Sequence, residues 1–201
     1  MVQYDKKIMN QLLDTYEKSL LFTGENKVNI NIQFAFNRKN IPAYFDESSS
    51  EYEVIHVAMK HLEDMGHVRL VWKKGKENHI LSKVLLNVEQ LEQAYAYVNR
   101  TPKADYQTQM TVFLKKAVLK YNTPVCTSFL SYLQNRIENN QSVKEYIDIK
   151  NLKETEALVN GIYKIETNQM ECYIREFSIA LASVDSCSKD NNHSVTFLFF
   201  N

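Results

Sequence analysis

Glycine and proline are scarce in this chain, four and three among 201 residues. A sheet-rich fold needs turn residues at every reversal, so their shortage argues against a sandwich or barrel and for long helices. Cysteine is equally sparse. Cys126, Cys172 and Cys187 are odd in number and lack metal-ligand spacing, which removes a disulfide framework and fits a reducing, cytoplasmic compartment. No apolar run approaches the roughly 20 residues that cross a bilayer, and residues 1–20 carry charges throughout. Neither a membrane anchor nor a secretion signal is expected. An excess of one charge is missing too: Lys plus Arg and Asp plus Glu number 24 each, so no net field draws a polyanion in from a distance. A glycine-rich phosphate loop, a serine nucleophile elbow and an acidic metal cluster are all absent, and no cofactor is expected.

What is present is a 44% hydrophobic content, enough to bury a core in one large or two small domains. Ile8, Leu12, Leu13, Tyr16 and Leu20 form a helical stripe that Thr23-Gly24-Glu25-Asn26 breaks. Val28, Ile30, Ile32, Phe34 and Phe36 then alternate as a strand with one buried face. Asn37 is placed to cap a short helix through Ala43 and Phe45, and Ser48 to Ser50 to cap a longer one ending at Gly66. The apolar positions of that longer helix, Val54, Val57, Ala58, Met59, Leu62 and Met65, recur at three- and four-residue steps. Val68, Leu70 and Trp72 alternate into the charged turn 73–78, and Ile80 to Leu86 return as a second strand. Val88, Leu91, Ala94, Tyr95 and Val98 suit a closing helix. This order of strand, two helices and a two-stranded wing predicts a winged helix-turn-helix over residues 1–99.

Asn99-Arg100-Thr101-Pro102-Lys103 reads as a linker, since proline disfavours helix at the residue before it. Beyond it, residues 100–181 read as a helical bundle module. Tyr106, Met110, Phe113, Leu114, Ala117, Val118 and Tyr121 mark one helix face. Thr123 caps the next helix with Pro124 at its first position, and Val125, Phe129, Leu130, Leu133 and Ile137 are its buried stripe. After a turn at 139–142, a helix near Leu152 to Ile165 carries Leu158 and Ile162 inward, and an apolar segment runs from Cys172 to Leu181. The fold class expected is mainly α with a small antiparallel sheet. Residues 182–201 form an atypical tail whose final uncharged run, Val195 to Phe200, has the composition of an aggregation-prone strand. It reads as truncation or disorder.

The helix ending at Gly66 holds the position that enters the major groove in helix-turn-helix proteins. Its Glu51, Glu53, Glu63 and Asp64 oppose only Lys60, and carboxylates repel phosphate. The wing is better suited. Arg69, Lys73, Lys74, Lys76 and Lys83 could straddle phosphates without reading bases, and the competing reading is a solvated hairpin tip. His61 and His67 flank Asp64 in a way that suggests a metal site, but no cysteine lies close in sequence, and structural histidines are the expectation. Cys187 and His193 lie in the polar tail and are not read as a nucleophile pair. The twelve tyrosines fall mostly on apolar stripes and are expected to pack cores.

Taken in order, Tyr16-Glu17-Lys18-Ser19 with Gly24-Glu25-Asn26-Lys27, Leu62-Glu63-Asp64-Met65-Gly66, Val71-Trp72-Lys73, Val84-Leu85-Leu86-Asn87 and Arg100-Thr101-Pro102-Lys103 resemble the N-terminal half of the JetD family. These are the nuclease subunits of bacterial Wadjet plasmid-defence systems. The resemblance runs from about residue 4 to Ile179, with Phe177-Ser178-Ile179 at its end. It implies an arm and winged-helix region that precede a Toprim domain related to the A subunit of type VI topoisomerases. Such proteins cut DNA loaded by an SMC-like motor complex, and a divalent metal is implied only for the Toprim domain. Asp185-Ser186 and Lys189 resemble the family's next motif, but Cys187 and Ser188 disturb its spacing. The chain is expected to stop before the Toprim domain, so no catalytic residue is carried over.

The leading expectation is a non-catalytic part that docks an SMC-like complex and contacts duplex DNA weakly through the wing. Two alternatives stand beside it. One is a stand-alone winged-helix regulator, whose second module would make a homodimer on paired half-sites. The other is an interaction module that binds a basic protein surface and no DNA.

Overall fold

The computed structural model describes residues 3–24, 31–46, 48 and 50–168. The chain divides into two compact units, residues 1–103 and 104–201. It is mainly helical with one three-stranded antiparallel sheet. Among the described residues no helix is long and apolar enough to cross a membrane.

In the first unit, α1 (Tyr4–Glu17) buries Ile8, Met9, Leu12 and Leu13, the neighbouring rows that helical periodicity puts on one face. The apolar stripe expected to continue to Leu20 is interrupted at Lys18. A separate turn, α2 (Leu20–Thr23), follows, leaving Leu20 exposed. Gly24, at φ +73°, closes that turn in the left-handed region, which glycine enters without steric cost.

Strand β1 (Gln33–Ala35) is shorter than the alternation from Val28 suggested. Residues 28–30 of that reading lie outside the described residues. Asn37 accepts at Oδ1 from the amides of Lys39 and Asn40, as a cap would, but builds only a turn, since no helix follows it directly. A 3-10 turn follows at Pro42–Phe45. Helix α3 (Glu51–Asp64) starts after Ser50, whose side chain makes no capping bond.

The buried stripe of α3 is Ile55, Met59 and Leu62. Val54, Val57 and Met65, expected inside, face solvent, with Val57 69% exposed. Ile55, Met59 and Leu62 stand at i, i+4 and i+7, which points the helix about one residue away from the expected register. β2 (Val68–Trp72) and β3 (Leu81–Leu86) form the hairpin. The sheet order is β1-β3-β2. Phe34, Val84 and Leu70 lie in register across it and face the core.

A 3-10 turn at Val88–Gln90 leads into α4 (Leu91–Tyr97), which buries Ala94 and Tyr95. The segment read as a linker is fastened to α1. Arg100 reaches Asp14 at 2.7 Å and Glu17 at 2.5 Å, while Glu17 also accepts from the Tyr95 hydroxyl at 2.9 Å and the Lys103 amide at 3.1 Å.

The second unit packs α5 (Lys103–Lys120), α6 (Pro124–Glu138) and α7 (Leu152–Thr167). Met110, Leu114, Leu130, Leu133 and Val159 are fully buried in its core. Two expectations shift by one position. Cys126 is buried where Val125 was expected and Val125 is exposed; Val159, between the half-buried Leu158 and Ile162, points inward. The Thr123 side chain does not cap α6 itself. Its hydroxyl donates to Glu166, whose carboxylate also accepts from the Val125 and Cys126 amides at 2.9 and 3.3 Å. The segment from Cys172 to Leu181 and the tail 182–201 lie outside the described residues.

Candidate nucleic-acid interface

The hairpin tip is a compact turn, not a loose loop. The Lys73 amide donates to the Ile80 carbonyl at 2.8 Å, and the Lys76 amide returns to the Lys73 carbonyl at 2.9 Å. Gly75 and Asn78 take positive φ, +74° and +63°, as glycine and asparagine do most easily. The Glu77 carboxylate turns back to accept from the Gly75 amide at 3.0 Å, and hydrogen bonds from its own amide and then from that of Gly75 hold its pKa below the usual carboxylate range. Lys73, Lys74 and Lys76 project from this turn into solvent.

The other two sequence-predicted cations sit apart from the tip, on the sheet. Arg69 stands opposite Leu85, and Lys83 opposite Val71 and Ala35. Both therefore occupy the outer sheet face, since alternate residues on a strand share a face. The Lys83 Nζ donates to Gln33 Oε1 at 3.1 Å across the β1–β3 pair. Arg69, Lys73, Lys74 and Lys76 make no ion pair among the described residues. The structure thus gives one cluster of three at the tip and a pair on the sheet.

The base of the hairpin is pinned by residues the sequence reading assigned only to general packing. The Tyr44 hydroxyl accepts from the buried Leu81 amide at 3.0 Å and donates to the His79 carbonyl at 3.4 Å. Tyr52, on α3, donates to the same carbonyl. Tyr44, Tyr52, His56 and Trp72 then form a continuous run of ring contacts, with centroids 4.9, 5.4 and 5.2 Å apart. Burial pushes the Tyr44 hydroxyl up to about 12, so it stays a neutral donor and acceptor. The recoverable signal was the Tyr52–His56 step of four on the helix. Nothing local marks Tyr44, whose partner lies 37 residues away.

The surface of α3 is less acidic than its composition. Glu63 accepts from the Leu70 amide at 2.8 Å, and Glu51 is held by the Tyr4 hydroxyl. Glu53 and Asp64 remain exposed, beside Val54, Val57, Lys60 and His61. His67 is 3% exposed, its ring lies tilted against that of Tyr97 with centroids 5.5 Å apart, and neither ring nitrogen has a hydrogen-bond partner among the described residues. His61 is exposed, so the two histidines do not share a ligand set. No group of three or more His, Cys, Asp or Glu able to hold a metal occurs among the described residues. Cys187 and His193 lie outside them.

No protein-family model matches the chain. No solved structure matches it. The chain is similar to the Wadjet protein JetD of Bacillus cereus (strain Q1), with 27% identity over 181 residues. That alignment covers 88% of this chain and 43% of JetD, so the chain spans less than half the length of its relative. The resemblance to JetD carried by the ordered motifs of the sequence therefore holds across most of the chain.

Proposed function

We propose that this chain is the DNA-positioning, non-catalytic part of a Wadjet-type plasmid-defence subunit, which engages duplex phosphates through its hairpin and docks an SMC-like motor complex. The observation that carries the reading is the hairpin. Three lysines project from a hydrogen-bonded tip, and its base is pinned to the 3-10 turn by Tyr44 and to α3 by Tyr52. The element order α1, α2, β1, the 3-10 turn, α3, β2, β3, with sheet order β1-β3-β2, supports a winged-helix reading of this unit. Similarity to JetD supports the Wadjet context.

Lysines without ion-pair partners exchange counterions for phosphates at little structural cost, and they fix register without reading sequence. Binding of a fluorescent mixed-sequence duplex at low and moderate salt tests the reading, with Lys73→Ala, Lys74→Ala and Lys76→Ala combined as the comparison. Loss of salt-sensitive binding in the variant is the expected result, and absence of binding by the unaltered chain overturns it. Metal-dependent plasmid nicking that a chelator abolishes would overturn the non-catalytic part.

One observation favours a second reading, a docking module for protein alone. Val54 and Val57 are exposed on α3, at 45% and 69%, where a DNA-reading helix commonly carries polar side chains. Under that reading, Val57→Asp abolishes capture of the partner complex while DNA affinity is negligible even at low salt.

A further inference from the structure

The chain is electrically neutral as a whole, yet its sheet is not. Residues 33–40 carry two cations, Arg38 and Lys39, and residues 68–86 carry five against one carboxylate, Glu77. Glu77 is itself folded back onto the Gly75 amide. The fold brings these two stretches together although they are separated in sequence by more than 25 residues. Strand β1 runs antiparallel to β3, so its end at Ala35 lies beside Lys83 and the Phe36 amide donates to the Ser82 carbonyl at 2.9 Å. The turn that follows, residues 37–40, therefore emerges at the end of the sheet from which the hairpin tip also projects.

That turn is held rigid from both sides. Asn37 accepts from the Lys39 and Asn40 amides at 3.0 and 2.9 Å, and the Asn40 Nδ2 donates to the Ala35 carbonyl at 2.9 Å. Four residues later, Tyr44 is bonded to Leu81 and His79 at the hairpin base. Arg38 and Lys39 are exposed and make no ion pair among the described residues. β1 and β2 are two strand spacings apart, about 10 Å. Duplex DNA carries a phosphate on each strand every 3.4 Å of its axis or so, so a patch about 10 Å wide faces several phosphates at once.

We propose that Arg38 and Lys39 form a second phosphate-contact point beside the hairpin, so that the backbone of duplex DNA crosses the open end of the sheet and is held on both flanks. This rests on the reading that the hairpin lysines engage DNA. A single contact would let the duplex swivel about the tip. Two contacts carried on one sheet fix its direction, which is what a positioning module requires.

The test is a salt series with the full chain and a fluorescein-labelled mixed-sequence duplex. It compares the unaltered protein, Arg38→Ala with Lys39→Ala, the triple hairpin variant, and Lys115→Ala with Lys116→Ala on α5 as a control. Far-UV circular dichroism and the melting temperature verify that each variant is folded. The slope of log Kobs against log salt is expected to become shallower by about 2 in the Arg38/Lys39 variant and by about 3 in the hairpin variant, close to one per cation removed. The control should keep the original slope. An unchanged slope in the Arg38/Lys39 variant, with the hairpin variant impaired, overturns the second contact and leaves the hairpin reading standing. Equal losses in the control overturn it as well. No binding by the unaltered chain removes the hairpin reading and the second contact together.

Discussion

Tyr44 owes its importance to one buried amide. Leu81 donates its N–H to the Tyr44 hydroxyl at 3.0 Å in a fully enclosed setting, so Tyr44→Phe leaves that donor unsatisfied. We expect the change to lower unfolding free energy by about 1–3 kcal/mol in urea denaturation, and to loosen the hairpin base. His67 supplies a second prediction. Burial, followed by the nearby His61, lowers its pKa below the ordinary 6.5, and its ring lacks a hydrogen-bond partner among the described residues. The unfolded chain then binds more protons than the folded one just below pH 6.5. Stability is therefore complete above that value and declines as pH falls from it toward the lower folded pKa. His67→Leu should flatten this decline, although His56, lowered mainly by burial, retains a share of it. A denaturation midpoint that falls as steeply for the variant as for the unaltered chain would refute the assignment. Neither role was legible in the sequence, because Tyr44 acts through a partner 37 residues away and His67 looked like one of a pair around Asp64.

Helices were legible as elements but not always as faces. The stripes of α1 and α5 follow from the spacing of Ile8, Leu12 and Leu13 and of Met110, Leu114 and Ala117, and these residues are buried. In α3 the apolar positions outnumber those one face can hold, and composition cannot say which row turns inward. The shared core of α1, the 3-10 turn and the sheet decides it, by taking Ile55, Met59 and Leu62. Met59→Ala should accordingly cost about 2–5 kcal/mol, while Val57→Ser should stay within about 0.5 kcal/mol; equal losses in urea denaturation would mean the helix is turned differently. Helix α6 illustrates a cap that sequence cannot reveal. Its first amides are satisfied by Glu166, 41 residues beyond Val125, where an acidic side chain also complements the helix dipole. Burial raises the Glu166 pKa and its hydrogen bonds from Thr123, Val125 and Cys126 lower it, with the lowering dominant. Its contribution is thus present above pH 4.5 and lost as pH falls through the lower folded value. Glu166→Ala should reduce the urea midpoint at neutral pH and narrow the gap to the unaltered protein in acid.

For the molecule as a whole, the sequence conveyed a mainly helical chain and a change of character near residue 100. It did not convey how charge is sorted. A balanced composition concealed a marked cationic surplus at the hairpin end of the sheet, because the β1–β3 pairing and Tyr44 bring Arg38 and Lys39 there from a distant stretch of sequence. It also concealed the fastening of the segment that looked like a free linker. Since Arg100 and Lys103 bind Glu17, a fragment of residues 1–103 should be more stable than one of residues 1–98 by about 2 kcal/mol, the scale of hydrogen bonds to a charged group. Matching denaturation curves for the two fragments would show the fastening to be idle. Arg100 grips the far end of α1 through Asp14 and Glu17, so the clamp also has a mechanical meaning. A pull on the chain at residue 103 is delivered to the last turn of the first helix instead of peeling α4 away, and the hairpin can remain seated while the load is borne elsewhere.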